Sequence, residues 1–274
     1  MDVVLRSGRL VAWGNAVLAG LVSPDTAADR VRAGDGSHRM FDTPRPGSRD
    51  HQLGDGAPPG GTTLPMLLAG LRSAGIHGLV LVLPVPGDPL GLPGPSHFNE
   101  RALEAGEAVL TMGPVCWGIV PTVSPPDPDG PPGTVVHWRA ETVNARAGLD
   151  LPSLSEAERS LIATAREVTA GVAALDLARW RPQLAEALAA IRNGTGAEGL
   201  APGYPGRAHR VLALAQRLGA IADLVCTDAG GAAGVGASAA RDALLRPLAT
   251  AARRATVAAF NCVVEDRIAG ASIT

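Results

Sequence analysis

His97, Asn99 and Glu100 stand together in the segment HFNERALEAGEAVL, with Asp88 upstream in a loop rich in proline and glycine. An imidazole beside two carboxylates suits proton transfer, because the ring titrates near neutrality and a carboxylate can orient it and stabilise its charged form. On this reading His97 or His137 moves the proton, Glu100 or Asp88 orients it, and an arginine holds an anionic substrate. The reaction would be hydrolase-like or transferase-like. A second set, His137, Arg139 and Glu141, recurs every two residues and so shares one face of a strand. Together with Asn99, His137 and Arg139 are candidate ligand-binding groups, suited to an anion. Each residue also has a plainer use. Asp88 closes a Gly-Asp-Pro turn, Asn99 caps a helix, Glu100 answers the helix dipole, His97 is solvated, and the row at 137–141 is a ladder of compensating charges.

These residues need a frame. GLVLVLP, starting at Gly78, is a continuous apolar run too short for a buried helix, which predicts a strand covered on both faces. The prolines and glycines between Val85 and Pro95 prevent both helix and ladder from continuing, so the chain runs as a loop. A short helix is expected next, with Asn99 as its cap, Leu103 facing inward and Gly106 ending it, followed by a strand from Glu107 to Met112. If this unit is a crossover, the two strands are parallel and the loop lies beyond the carboxyl end of the first. Open sheets place ligands there, and Asp88, His97, Asn99 and Glu100 would share that edge.

Upstream, Ser7 is a plausible cap for a helix to Val22, and Ser23-Pro24-Asp25 starts another to about Arg32. Residues 34–61 lose periodicity and read as a long loop, in which His38, Arg45, Arg49 and His51 are candidates for a lid over a site. Thr63 opens a helix that stops at Gly75. Gly113-Pro114 marks a turn between antiparallel strands, the second running from Val115 to Val123. From Val135 to Thr142 apolar and polar residues alternate, as in a half-buried strand.

The character changes near Ala147. Ser155 to Glu158 has the capping-box pattern, and Leu161, Ala165, Val168, Val172 and Leu175 form the seam of a long helix. Further helices are expected from about Pro182, from about Arg207, and from Ser238 to about Cys262, the last bent at Pro247. The expected fold is therefore α+β or α/β. Residues 1–146 carry a small mixed sheet of about four strands with flanking helices, packed on an antiparallel helical bundle in residues 147–274.

Composition removes several chemistries. All 24 basic residues are arginine, which excludes a lysine Schiff base and a P-loop lysine. A net charge of −2 and a pI near 6.3 argue against a nucleic-acid partner. Cys116, Cys226 and Cys262 are too scattered for a disulfide framework or a zinc site and read as buried thiols in a cytoplasmic protein. No apolar run reaches the roughly 20 residues that cross a bilayer. The glycine-rich stretch Gly230–Gly236 lacks the strand–turn–helix setting of a nucleotide loop and reads as an inter-helix linker. No cofactor and no metal are expected.

Across most of its length, including His97–Leu110 and the alanine- and arginine-rich final helix, the chain resembles a family restricted to actinobacteria that has no assigned activity. The resemblance implies no catalytic residues. The first functional expectation is thus a non-catalytic protein that binds a small ligand or a partner through the loops beside the sheet. The alternatives are the acid–base enzyme around His97 and an assembly module that forms a homodimer through its alanine-rich helical face.

Overall fold

The computed structural model describes residues 5–41, 63–126, 132–144, 151–174, 199–227 and 235–265. The chain divides into two compact units, one of Met1–Asp150 with Gly199–Gly203 and Val263–Thr274, the other of Leu151–Glu198 with Tyr204–Cys262. The first contains helices α1 (Arg6–Leu18), α2 (Pro24–Arg32), α3 (Leu64–Ser73) and α4 (Ser96–Ala105). Its strands are β1 (Ser37–Phe41), β2 (Gly78–Val82), β3 (Ala108–Met112), β4 (Trp117–Ser124) and β5 (Val135–Thr142). The second contains α5 (Leu154–Ala174), α6 (Gly206–Thr227) and α7 (Val235–Asn261). The fold is α+β.

The described strands form one mixed sheet in the order β1-β5-β4-β3-β2, in which β1 and β5 pair in parallel and the other neighbours are antiparallel. As expected, β2 is buried along its whole length, β3 and β4 are antiparallel, and Val136, Trp138 and Ala140 are the inward residues of β5. The crossover is not formed. β2 and β3 are antiparallel, with Val82 opposite Ala108 and Gly78 opposite Met112. A crossover must carry the chain back along the whole sheet. Here α4 stops at Gly106 in the left-handed region (φ +69°), and β3 begins at the end where β2 left off.

A fifth strand appears where sequence periodicity is lost. β1 is only five residues long and mostly polar, so it carries little signal of its own, and it is defined by pairing with β5. His38, expected in a lid, lies in this strand with its side chain fully buried. Arg45, Arg49 and His51 lie outside the described residues.

Helix α1 packs against β2, β3 and β4 and is buried on most sides. Its ends are satisfied from a distance. Ser7 is not the cap but the helix's second residue, and its amide donates to the Glu107 carboxylate at 2.7 Å. Burial pushes the Glu107 carboxyl up, against the Ser7 hydrogen bonds that favour its charged form. At the other end the Arg72 guanidinium donates to the Val17 and Leu18 carbonyls, each at 2.9 Å. An anion at the amino end and a cation at the carboxyl end both complement the helix dipole. Midway, the Asn15 carboxamide donates to the Leu79 carbonyl at 2.9 Å and accepts from the Leu79 amide at 2.8 Å, on the outer edge of β2. The close approach depends on Gly14, where a Cβ would lie 2.4 Å from Leu79 Cδ1.

In the second unit the capping box falls two residues earlier than expected. Ser153 Oγ accepts from the Glu156 amide, and Glu156 Oε2 accepts from the Ser153 amide and hydroxyl. α7 packs against both α5 and α6, with Ala252 Cβ 3.7 Å from where a Gly219 Cβ would be, so small residues bring these helices close. α7 continues through Pro247. Glu158 of α5 pairs with Arg207 of α6, and the Tyr204 hydroxyl donates to the Phe260 carbonyl at 2.7 Å. The helix expected from Pro182, and most of the glycine-rich linker, lie outside the described residues, as does the expected division at 146/147. Among the described residues Cys116 and Cys262 form no disulfide, and they are half-buried rather than buried.

Candidate functional site

Residues opposite one another on neighbouring strands point to the same side of a sheet, so the register defines two faces. Glu141 lies opposite Gly118, Arg139 opposite Val120 and Phe41, and His137 opposite Thr122 and Arg39. α4 docks on this face at Gly118. A Cβ there would lie 2.3 Å from Phe98 Cε2, so the glycine makes room for the buried Phe98 ring. This placement brings the first turns of α4 over the end of β5.

His97 Nε2 meets Glu141 Oε2 at 2.7 Å, and Arg101 donates to the other carboxylate oxygen. The spacing of four places His97 and Arg101 on one side of α4, so one carboxylate fastens the helix through two side chains. The carboxylate partner of His97 is therefore Glu141, which the sequence places in the charged row of β5 but not beside His97. The other expected partners are elsewhere. Glu100 is exposed on α4, and Asp88 closes a turn in which the Val85 and Asp88 amides each donate to the other residue's carbonyl. Asn99 is inside the helix and not its cap. The helix starts three residues earlier, and Asn99 Oδ1 reaches back to accept the Gly94 amide at 2.9 Å. The same loop is held from β5's end by Asn144, whose side chain donates to the Pro93 carbonyl.

On the rest of this face Val120 is buried, and the polar positions around it are more open. Arg39, Arg139 and Thr122 are exposed and His137 is half-buried. Burial, and then the charge of Arg39, hold the His137 imidazole below its ordinary range. Among the described residues Arg139 has no ion pair. Glu141, two residues along the strand, is already engaged by α4. Arg39 went unnoticed in sequence because its strand did, although the register brings it to His137.

The opposite face holds a second polar cluster that sequence reading missed. The Asp35 side chain is only 3% exposed and accepts from Arg6 Nη2 at 2.6 Å, Arg9 Nη2 at 3.0 Å, Thr134 Oγ1 at 2.8 Å and His38 Nε2 at 3.2 Å. The Trp138 indole N–H donates to His38 Nδ1 at 3.1 Å, which fixes the neutral tautomer with its proton on Nε2. Burial raises the Asp35 carboxyl, but its hydrogen bonds from Arg6, Thr134 and His38 outweigh this and hold it below the usual carboxylate range. Burial also pushes His38 down. With Nδ1 already occupied, His38 has no lone pair to offer a substrate, so this relay is structural. Its parts are far apart in sequence, and only the spacing of Arg6 and Arg9 on one helical turn hinted at a shared target.

Among the described residues no group of three or more His, Cys, Asp or Glu side chains can hold a metal ion, and no helix is long and apolar enough to cross a membrane.

A mixed five-stranded sheet unit followed by a helical unit is the class of protein that this architecture defines, and known sequences share both parts. The profile described as Rv1486c-like protein, N-terminal domain, matches residues 7–151, and that described as Rv1486c-like protein, C-terminal domain, matches residues 155–257. The chain belongs to the Rv1486c-like family. It is 30% identical to the uncharacterized protein Rv1486c of Mycobacterium tuberculosis strain H37Rv, over 94% of this chain and 96% of the relative. The uncharacterized protein MT1533 of strain CDC 1551 matches at the same identity and coverage. No solved structure matches the chain.

Proposed function

We propose that this is a non-catalytic cytoplasmic binding protein whose ligand, a small molecule or a segment of a partner, lies on the polar face of β1, β5 and β4 beside α4. The observation that carries the reading is the contrast in exposure. This face presents Arg39, Arg139 and Thr122 to solvent from regular strands, and a rigid element positions binding groups better than a loop. His137 and Arg139 keep the ligand-binding roles assigned from sequence, and Asn99 acts through the loop that it fastens. The net charge of −2 supports a partner other than nucleic acid. Residues 147–274 would act as a separate helical bundle domain, and their alanine-rich face would serve for any homodimer.

The test is a thermal-shift screen of a metabolite library against the full chain and against Thr122→Trp, which places a bulky ring on the face. At least one compound should raise Tm in the native chain and fail to do so in the variant. Hits indifferent to the substitution, or no hits, would sink the reading.

A second reading rests on the 2.7 Å His97–Glu141 contact, which has the geometry of an oriented general base. Turnover of ester, amide or phosphoester substrates that is lost in His97→Ala would favour it over binding.

A further inference from the structure

We infer that His97 is a phosphoryl acceptor, whose Nδ1 attacks an activated phosphoryl donor and carries the group as a phosphohistidine. This deepens the second reading above, which rests on the same contact, by naming the reacting atom and the group that it takes.

The two ring nitrogens have different surroundings. Nε2 lies 2.7 Å from Glu141 Oε2. Two lone pairs at that distance would repel, so Nε2 carries the proton and the lone pair of the neutral ring is on Nδ1. The His97 side chain is mostly exposed while Glu141 is not, which leaves the ring open to a reagent away from the carboxylate. Its position is set from beneath. Phe98, the next residue, is buried in the space left by Gly118, and Arg101 holds the second oxygen of Glu141, so helix and carboxylate are both fastened.

Two other histidines show what is particular to this one. His38 also faces a carboxylate, but its Nδ1 accepts from Trp138 and its side chain is fully buried. His209 on α6 is exposed, but among the described residues no carboxylate pairs with it. His97 combines the carboxylate of the first with the access of the second.

In the transfer step the Nδ1 lone pair forms a bond to phosphorus. The bond from phosphorus to the leaving group breaks, and the leaving group keeps the electron pair. The ring becomes an imidazolium with its Nε2 proton still against Glu141, whose negative charge offsets the positive charge as it forms. The first turn of α4 carries no acidic side chain, and the helix dipole favours a negative group at that end, which suits a phosphoryl dianion better than an uncharged acyl group. Passage of the group to water returns the pair to Nδ1.

The experiment is incubation of the full chain with phosphoramidate, a donor whose leaving group is ammonia. Mass spectrometry locates the label, phosphorus NMR tells Nδ1 from Nε2, and His209 is the internal reference. His97 should be labelled at Nδ1 about tenfold faster than His209, and Glu141→Gln should remove that advantage, the worth of one close charged partner. Labelling no faster than that of His209, labelling at Nε2, or a rate indifferent to Glu141→Gln would overturn the inference. If His97 is not labelled but turnover of an ester, amide or phosphoester is lost in His97→Ala, the general-base reading stands and the acceptor falls. If Nδ1 is labelled and no such turnover is found, the acceptor stands and the general-base reading falls.

Discussion

Among the described residues the sheet carries a carboxylate cluster on each face, and the two are built to opposite ends. On the α1 side, Asp35 is sealed under two arginines, a threonine and a histidine that is itself closed off by Trp138. On the α4 side, Glu141 is 15% exposed and its partner His97 is 58% exposed. The first spends its carboxylate oxygens and both imidazole nitrogens on internal hydrogen bonds. The second clamps a helix and leaves the neighbouring strand positions facing water. A titratable cluster is thus no guide to function by itself. What separates framework from binding surface is whether its neighbours remain within reach of a ligand.

The sharpest way to break this comparison is Asp35→Ala. Removing the carboxylate leaves the half-buried Arg6 and Arg9 guanidiniums without their counter-charge, for which a loss of about 2–4 kcal/mol is expected in urea unfolding, toward the lower end of a buried pair. A loss below about 1 kcal/mol would show that the cluster is not the framework described.

Next is Asn15→Ala, which strips the Leu79 amide and carbonyl of their partner at a buried position. A cost of about 2–4 kcal/mol is expected by the same measurement, from two backbone groups left unsatisfied.

The pH dependence should be asymmetric between the two faces. The folded-state pKa of His38 is lowered, so below the unfolded value of about 6.5 the unfolded chain binds the proton first. Stability is fully present above that value and is lost as pH falls through the folded pKa, because protonation of Nδ1 breaks the Trp138 hydrogen bond. His137 is lowered as well and contributes with the same sign, from a more open position. The urea midpoint should therefore drop between pH 7.5 and 5.5. The drop should be smaller in His38→Gln, and an equal drop would remove His38 from the account.

The smallest effect is expected for Glu141→Gln, about 1 kcal/mol, because its partners His97 and Arg101 reach water and are largely compensated there when the charge is removed. A cost comparable to Asp35→Ala would erase the distinction between the faces.

The parts of the fold that were legible in sequence are those whose signal is local. The apolar run of β2, the alternation in β5 and the part of the α5 seam at Leu161 and Val168 follow from periodicities within one element. β1 was not legible because its identity comes from β5, nearly a hundred residues later. The ends of α1 were misread for the same reason. Ser7 has the right residue type for a cap, but Glu107 supplies the acceptor. At the candidate site the sequence brought out His97, His137, Arg139 and Glu141 as separate groups. The link between His97 and Glu141 depends on where α4 docks, which is decided by a missing side chain at Gly118, and a glycine in a strand gives no hint of what fills its space.

The Asn15 carboxamide has a further consequence. A strand at the border of a sheet offers a row of unpaired amides and carbonyls on which another chain can add itself. By giving Leu79 the donor and acceptor that a sixth strand would supply, a helix side chain closes that border. A variant without it would be expected not only to unfold more readily but to recruit copies of itself, growing by sheet extension from β2.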